Sequence, residues 1–275
     1  MREFKGKTVV ITGGATGIGF SFAKQFGRDG ARVIIAGRRE NRLKETVESL
    51  RGEGIAAESF RSDVVSRSEV EALADFAWKT FGSVDVLVNN AVVSQQPLSL
   101  LDATEEVFRR VYDVNIFGVL NGIAVFGKRF VEQGTPAAIY NVGSENSLFN
   151  GVPLSAAYVS SKHAVLAISE ALREEIPDFI KIGLICPGFV RSELADAEIM
   201  RAGMDTDRFT DIAMDQIRNG EFYIVSHAYN IVRIDERHDQ VSKAFERYAP
   251  RYEGDDEFDV RTLIERMSPQ ASEGH

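Results

Sequence analysis

Short apolar runs alternate with longer amphipathic stretches along most of the chain. The runs Thr8 to Ile11, Arg32 to Ala36, Ala56 to Phe60, Val84 to Val88, Ala138 to Val142, Ile180 to Ile185 and Phe222 to Val225 read as strands, being short, rich in β-branched residues and bounded by turn formers. Between them apolar residues return at helical spacing, as Phe20, Phe22, Ala23 and Phe26 do after the first run. Runs that do not alternate polar with apolar belong to a sheet buried on both faces, and helical crossovers make that sheet parallel. The pattern predicts an α/β fold: one Rossmann-type, doubly wound parallel sheet of about seven strands with helices on both faces, over residues 1–226.

Two segments stand outside that rhythm. Residues 189–220 separate two strands and read as a substrate loop, a candidate mobile lid. Residues 227–275 form a charged C-terminal extension in which Val241, Phe245 and Tyr248 keep helical spacing, while the acidic run Glu253 to Asp259 reads as a solvated face.

Composition narrows the partners. With 32 Lys plus Arg against 41 Asp plus Glu the net charge is −9, which disfavours nucleic acid, and 44% hydrophobic residues supply a sizeable core. The single cysteine, Cys186, cannot form an internal disulfide, and at the end of a core strand it reads as a small buried group. His163, His227, His238 and His275 show no metal-ligand spacing, so no metal site is expected. No apolar run resembles a signal peptide or a membrane span, so a cytoplasmic protein without membrane contact is expected.

The first strand runs into Thr12-Gly-Gly-Ala-Thr-Gly-Ile-Gly19, where a helix begins. Gly13, Gly17 and Gly19 let backbone N–H groups approach a pyrophosphate, whose charge the helix N-terminus favours; the plainer reading is a tight turn in which glycine only relieves φ strain. At the end of the second strand, Gly37 occupies the place where an NAD site sets a ribose-binding carboxylate, and Arg38 and Arg39 follow. A guanidinium fork suits a 2′-phosphate, so NADP(H) is preferred and NAD(H) is the alternative; two solvated surface arginines are the plainer reading.

Tyr158 and Lys162 lie four apart on a helical pattern and share a face. They follow the strand ending in Asn141-Val-Gly-Ser144 by one loop, and strand C-termini are where a parallel sheet places its ligand. A free tyrosine must fall roughly two to three pKa units to exchange protons near neutrality, and an ammonium about 4 Å away at a dielectric near 20 supplies about 4 kcal/mol, enough in size.

Taken together, the glycine-rich turn, Asn89-Asn-Ala91, Asn115, Ser144, Tyr158-x-x-x-Lys162 and Pro187-Gly188 resemble the short-chain dehydrogenase/reductase family from residue 5 to about 225. The resemblance implies Tyr158 as general acid/base, Ser144 on the substrate oxygen, Lys162 on the nicotinamide ribose and lowering the phenol pKa, and Asn115 holding a water in the proton relay. It also implies cofactor contacts from Thr16 and Ile18 in the turn, Asp63 and Val64 at the adenine, Asn89, Asn90 and Ala91 along the ribose side, and Pro187, Gly188, Val190 and Ser192 around the nicotinamide. A homodimer or homotetramer built through the helices after the fourth and fifth strands is likewise implied.

Departures from the family pattern are small. Val92 replaces the usual glycine after Asn90-Ala91, and Ser147 offers a second hydroxyl near Ser144, which is preferred because it ends the strand. The expected activity is an NADP(H)-dependent interconversion of a ketone or aldehyde with a secondary alcohol. An NAD-dependent alcohol dehydrogenase and a non-catalytic dinucleotide sensor are the alternatives. Leu148, Phe149, Val152 and Leu154, with Leu194, Ile199 and Met200, are candidates for an apolar pocket taking a bulky or aryl substrate; loop packing explains them equally well.

Overall fold

The computed structural model describes residues 3–194 and 197–267. Residues 195–196 of the expected substrate loop and 268–275 of the extension, His275 among them, lie outside the described residues. Seven parallel strands form one sheet: β1 (Thr8–Thr12), β2 (Arg32–Gly37), β3 (Ala57–Arg61), β4 (Val86–Asn89), β5 (Ala137–Val142), β6 (Ile180–Cys186) and β7 (Tyr223–Val225), in the order β3-β2-β1-β4-β5-β6-β7. The doubly wound fold is as expected.

Pleating explains why nearly every strand residue is apolar. Val9, Ile11, Val33 and Ile35 join one core with Phe22, Phe26 and Phe209, whereas Val10, Ile34, Leu87 and Ile139 join a second core with Leu73, Phe126 and Phe130. Successive side chains point to opposite faces, and both faces are covered by helix. The first face carries α1 (Gly17–Arg28) and α2 (Glu40–Gly52); the second carries α3 (Arg67–Phe81), α4 (Glu105–Gln133) and α5 (Ala156–Glu175).

Among the described residues α4 alone is long and apolar enough to cross a membrane, although polar residues such as Asn115 and Asn121 interrupt its apolar runs. Its Val111, Val119, Phe126 and Phe130 are buried in this fold, and two π turns, Asp113–Phe117 and Ile123–Gly127, interrupt it. Such widened turns gather at functional sites.

The segment 189–220 is only partly a loop. Residues Thr206–Asn219 form α6, capped by the Asp205 carboxylate on the Asp207 and Arg208 N–H groups. Its Phe209, Ala213, Met214 and Ile217 are buried, so the apolar face makes this stretch framework. The chain divides into compact units at Asn230 and Ile231, slightly beyond the expected boundary at 226. In the second unit the helical spacing of Val241, Phe245 and Tyr248 is realised in α7 (Asn230–Tyr248), none of whose residues is buried, and a shorter helix, Val260–Met267, follows.

The strand order reverses between β1 and β4, leaving a crevice at their C-terminal ends. Gly19 lets α1 approach it: a Cβ there would collide with the Gly13 carbonyl and the Asn90 amide. Gly19→Ala should therefore destabilise the protein by about 1–3 kcal/mol, read as a lower midpoint in urea unfolding.

Candidate functional site

The crevice has a volume of ≈ 790 Å³ and is lined from the glycine-rich turn at one end to Tyr158, Lys162 and the Pro187-Gly188 turn at the other. Gly13 and Gly17 take φ of 63° and 54°, the left-handed region that suits glycine, and α1 starts at Gly17 with no side-chain cap and no acid in its first turn. Uncapped N–H groups at a helix N-terminus fit a pyrophosphate. The Asn90 amide fixes the turn from behind, donating to the carbonyls of Thr12 (2.9 Å) and Gly13 (3.0 Å), while Thr12 Oγ1 accepts from the N–H groups of Asn90 and Ala91.

Thr16, Ile18, Gly19, Arg38, Arg39, Asp63, Val64, Asn90, Ala91, Pro187, Gly188, Val190 and Ser192, the candidates for cofactor contact, all line this crevice. Asn89 does not. At the end of β4 its side chain points to the opposite face, donating to Asn141 Oδ1 (2.8 Å), and it ties β4 to β5. The arginines are engaged with acids: Arg39 pairs with Glu193 at 2.8 Å and donates to Thr16 Oγ1 at 3.3 Å, and Arg38 lies 3.9 Å from Asp63.

At the other end, α5 presents Tyr158 and Lys162 to the crevice beside Ser144. Lys162 is 2% exposed; its Nζ donates to the Val142 carbonyl at 2.8 Å and lies 5.7 Å from the centre of the Tyr158 ring. Ser147, the competing hydroxyl, is fully buried and donates to the Lys162 carbonyl, so it holds α5 and leaves the crevice to Ser144. Asn115 is also buried, in the first π turn. Its amide donates to Val93 O and Ser161 Oγ, each at 3.0 Å, and accepts from Val93 N–H at 2.9 Å. Both of its donors are committed to protein.

The electrostatics differ in sign from the expectation. Although Tyr158 opens onto the crevice, the protein around it pushes its phenol up to about 12, with the Ser144 hydrogen bond opposing and the Glu145 carboxylate reinforcing the shift. Burial pulls the Lys162 ammonium down to about 7. Desolvation of the charged forms outweighs the attraction that the spacing promised. Cys186 is inert, as expected, its thiol pushed up to about 12 by burial.

Two polar residues without a sequence motif hold Ser144 and the start of α5 in place. Asn146 gives both its backbone N–H and its amide to Ser144 Oγ, each at 3.2 Å, which fills the acceptor side of that hydroxyl and leaves its proton to be donated. Gln95 caps α5 from a distant loop, accepting from the N–H groups of Ala157 (2.8 Å) and Tyr158 (3.3 Å) while its amide donates to Leu154 O (3.3 Å). Leu154 itself has φ 58°, the left-handed region that is strained for leucine. Of the apolar candidates, Val152, Leu194, Ile199 and Met200 line the crevice; Leu148, Phe149 and Leu154 do not.

The sequence matches the short chain dehydrogenase family over residues 7–201. It is 32% identical over 191 residues to a diacetyl reductase [(S)-acetoin forming] of Staphylococcus epidermidis, covering 69% of this chain and 74% of that one. It is 29% identical over 247 residues to the 1-deoxy-11-beta-hydroxypentalenate dehydrogenase of Streptomyces arenae, covering 86% and 87%. A short-chain dehydrogenase/reductase from Burkholderia phymatum, solved in complex with NAD, superposes with a TM-score of 0.84 at 30% identity, covering 89% of this chain and 97% of that one.

The depressed Lys162 pKa has a stability consequence. Its folded value, about 7, lies below the unfolded one, so between those limits the unfolded chain holds a proton that the folded chain lacks. The penalty is full below pH 7 and fades as pH rises to the unfolded pKa of about 10.4. Lys162→Met should raise the melting temperature by several degrees at pH 7, with the gain shrinking toward pH 10, as followed by scanning calorimetry across that range.

Proposed function

The chain belongs to the short-chain dehydrogenase family, oxidoreductases of alcohol and carbonyl groups, and from that premise we propose that it is an NADP(H)-dependent enzyme interconverting a ketone or aldehyde with a secondary alcohol. The observation that carries this reading is the convergence of Ser144, Tyr158 and Lys162 on one end of a crevice whose other end fits a pyrophosphate. The intact set also disfavours a non-catalytic sensor.

NADP(H), when bound, supplies or accepts the hydride at the carbonyl carbon. The protein manages the oxygen and the proton. Ser144, its acceptor side filled by Asn146, donates to the substrate oxygen as negative charge develops there. Tyr158, neutral at pH 7, gives its proton to that oxygen in the reducing direction. Lys162, which titrates near neutrality, places a cation within reach of that phenolate and of a coenzyme ribose. Asn115 positions Val93 and, through Ser161, the helix that carries the phenol.

NADP(H) over NAD(H) is supported by Gly37 in place of a carboxylate and by Arg38 and Arg39 at the crevice wall. NAD(H) is the second reading, favoured by the acids that already occupy both arginines and by the NAD in the Burkholderia phymatum relative. The apolar Val152, Ile199 and Met200 support a bulky or aryl substrate. Exposed Phe117, Leu120 and Val131 on α4 support assembly as a homodimer or homotetramer.

Tyr158→Phe should reduce turnover to background in a screen of secondary alcohols and ketones while NADPH still quenches protein fluorescence; full activity in that variant refutes the assignment. Arg38→Ala and Arg39→Ala should each raise the KM for NADPH roughly tenfold, as expected for a lost phosphate contact, and leave that for NADH nearly unchanged.

A further inference from the structure

Glu145 follows Ser144 directly and opens a 3-10 turn (Glu145–Ser147) on the crevice wall. Two contacts fix it: its backbone N–H donates to Pro187 O, and Asn230 Nδ2 donates to its Oε2, both at 2.8 Å. The other carboxylate oxygen, Oε1, accepts no hydrogen bond from any described residue and lies on the side of Gly151, the residue before the crevice-lining Val152. Glu145 lines the same crevice as Ser144, its neighbour in the chain, and Tyr158. The crevice lining also includes apolar Val92, Val152, Ile199 and Met200 and polar Gln96, Asn146 and Ser155.

An anchored carboxylate oxygen with no donor is well solvated while the crevice is wet. A wholly apolar substrate that covers it removes that water and returns nothing, whereas a substrate with a hydroxyl in the right place restores the bond. A carboxylate-bearing substrate adds like-charge repulsion. Sites built to hydrogen-bond a substrate group reject analogues that lack it far more strongly than apolar pockets reject a missing methylene.

We propose that Glu145 is a specificity-determining residue that selects neutral substrates carrying a second hydroxyl beside the reacting carbinol or carbonyl, and selects against hydroxy acids. The proposal rests on the oxidoreductase reading above and refines its substrate class. In the oxidising direction the carbinol C–H leaves as hydride to the oxidised coenzyme and its O–H proton passes to Tyr158. The second hydroxyl keeps its proton and only shares it with Glu145.

Three probes oxidised at the same benzylic carbon test this with the full chain and NADP+: 1-phenylethanol, 1-phenyl-1,2-ethanediol and mandelate. The wild type should show kcat/KM for the diol at least tenfold above 1-phenylethanol, with mandelate the poorest. Glu145→Ala should collapse the diol-to-alcohol ratio toward one, and both it and the isosteric Glu145→Gln, which keeps the contact to Asn230 but loses the charge, should raise mandelate relative to the diol. A wild type without preference for the diol, or a diol-to-alcohol ratio unmoved in Glu145→Ala, overturns the proposal and leaves the oxidoreductase reading standing. Turnover of none of the three probes by wild-type protein that binds NADPH overturns the proposal. If a wider panel of ketones and alcohols is also inert, the oxidoreductase reading falls separately.

Discussion

The arrangement of the site depends on one buried contact, the Lys162 ammonium against the Val142 carbonyl. It joins the first turns of α5 to the C-terminal end of β5, and Ser147 closes the same corner by donating to the Lys162 carbonyl. Removing a lysine from water is costly, and the depressed pKa records that cost. A core selected only for stability would place an aliphatic side chain here. The lysine puts a proton-exchanging group next to the phenol, at the expense of local stability, a pattern common at sites where charge must change during a reaction.

A second layer of neutral amides carries the geometry outward from that corner. Asn146 orients the Ser144 hydroxyl, Asn90 holds the glycine turn, Asn115 links the loop after β4 to α5, and Asn89 with Asn141 closes the space between β4 and β5. Each bond is individually modest, but every one is buried or partly so, where an unmade partner is expensive. The crevice is therefore held rigidly from behind, while its open side carries more exposed pairs such as Arg39 with Glu193.

Much of this was readable in the residues, and the failures have physical causes. The strands were legible to within a residue or two because long β-branched runs have few alternatives, and Tyr158 and Lys162 share a face by helical arithmetic alone. The direction of Asn89 was not legible, since it turns on which side of a pleat one residue falls. Helix α6 was hidden although Phe209, Ala213 and Ile217 keep a four-residue rhythm, because its position between two strands suggested a lid. The sign of the pKa shifts was out of reach: spacing reveals a neighbouring charge, but burial is a property of the whole fold. Gln95 and Asn146 carry no motif, and their roles exist only once distant segments meet.

Gln95 ties together parts of the molecule that would otherwise be separable. The same amide that terminates the N–H groups of Ala157 and Tyr158 also grips Leu154, whose carbonyl additionally receives the Leu98 N–H. The segment that brings Val152 to the crevice is thus mechanically geared to the helix bearing Tyr158. Grafting a foreign 149–154 segment would shift Tyr158 as well, unless its partner loop around Gln95 travels with it.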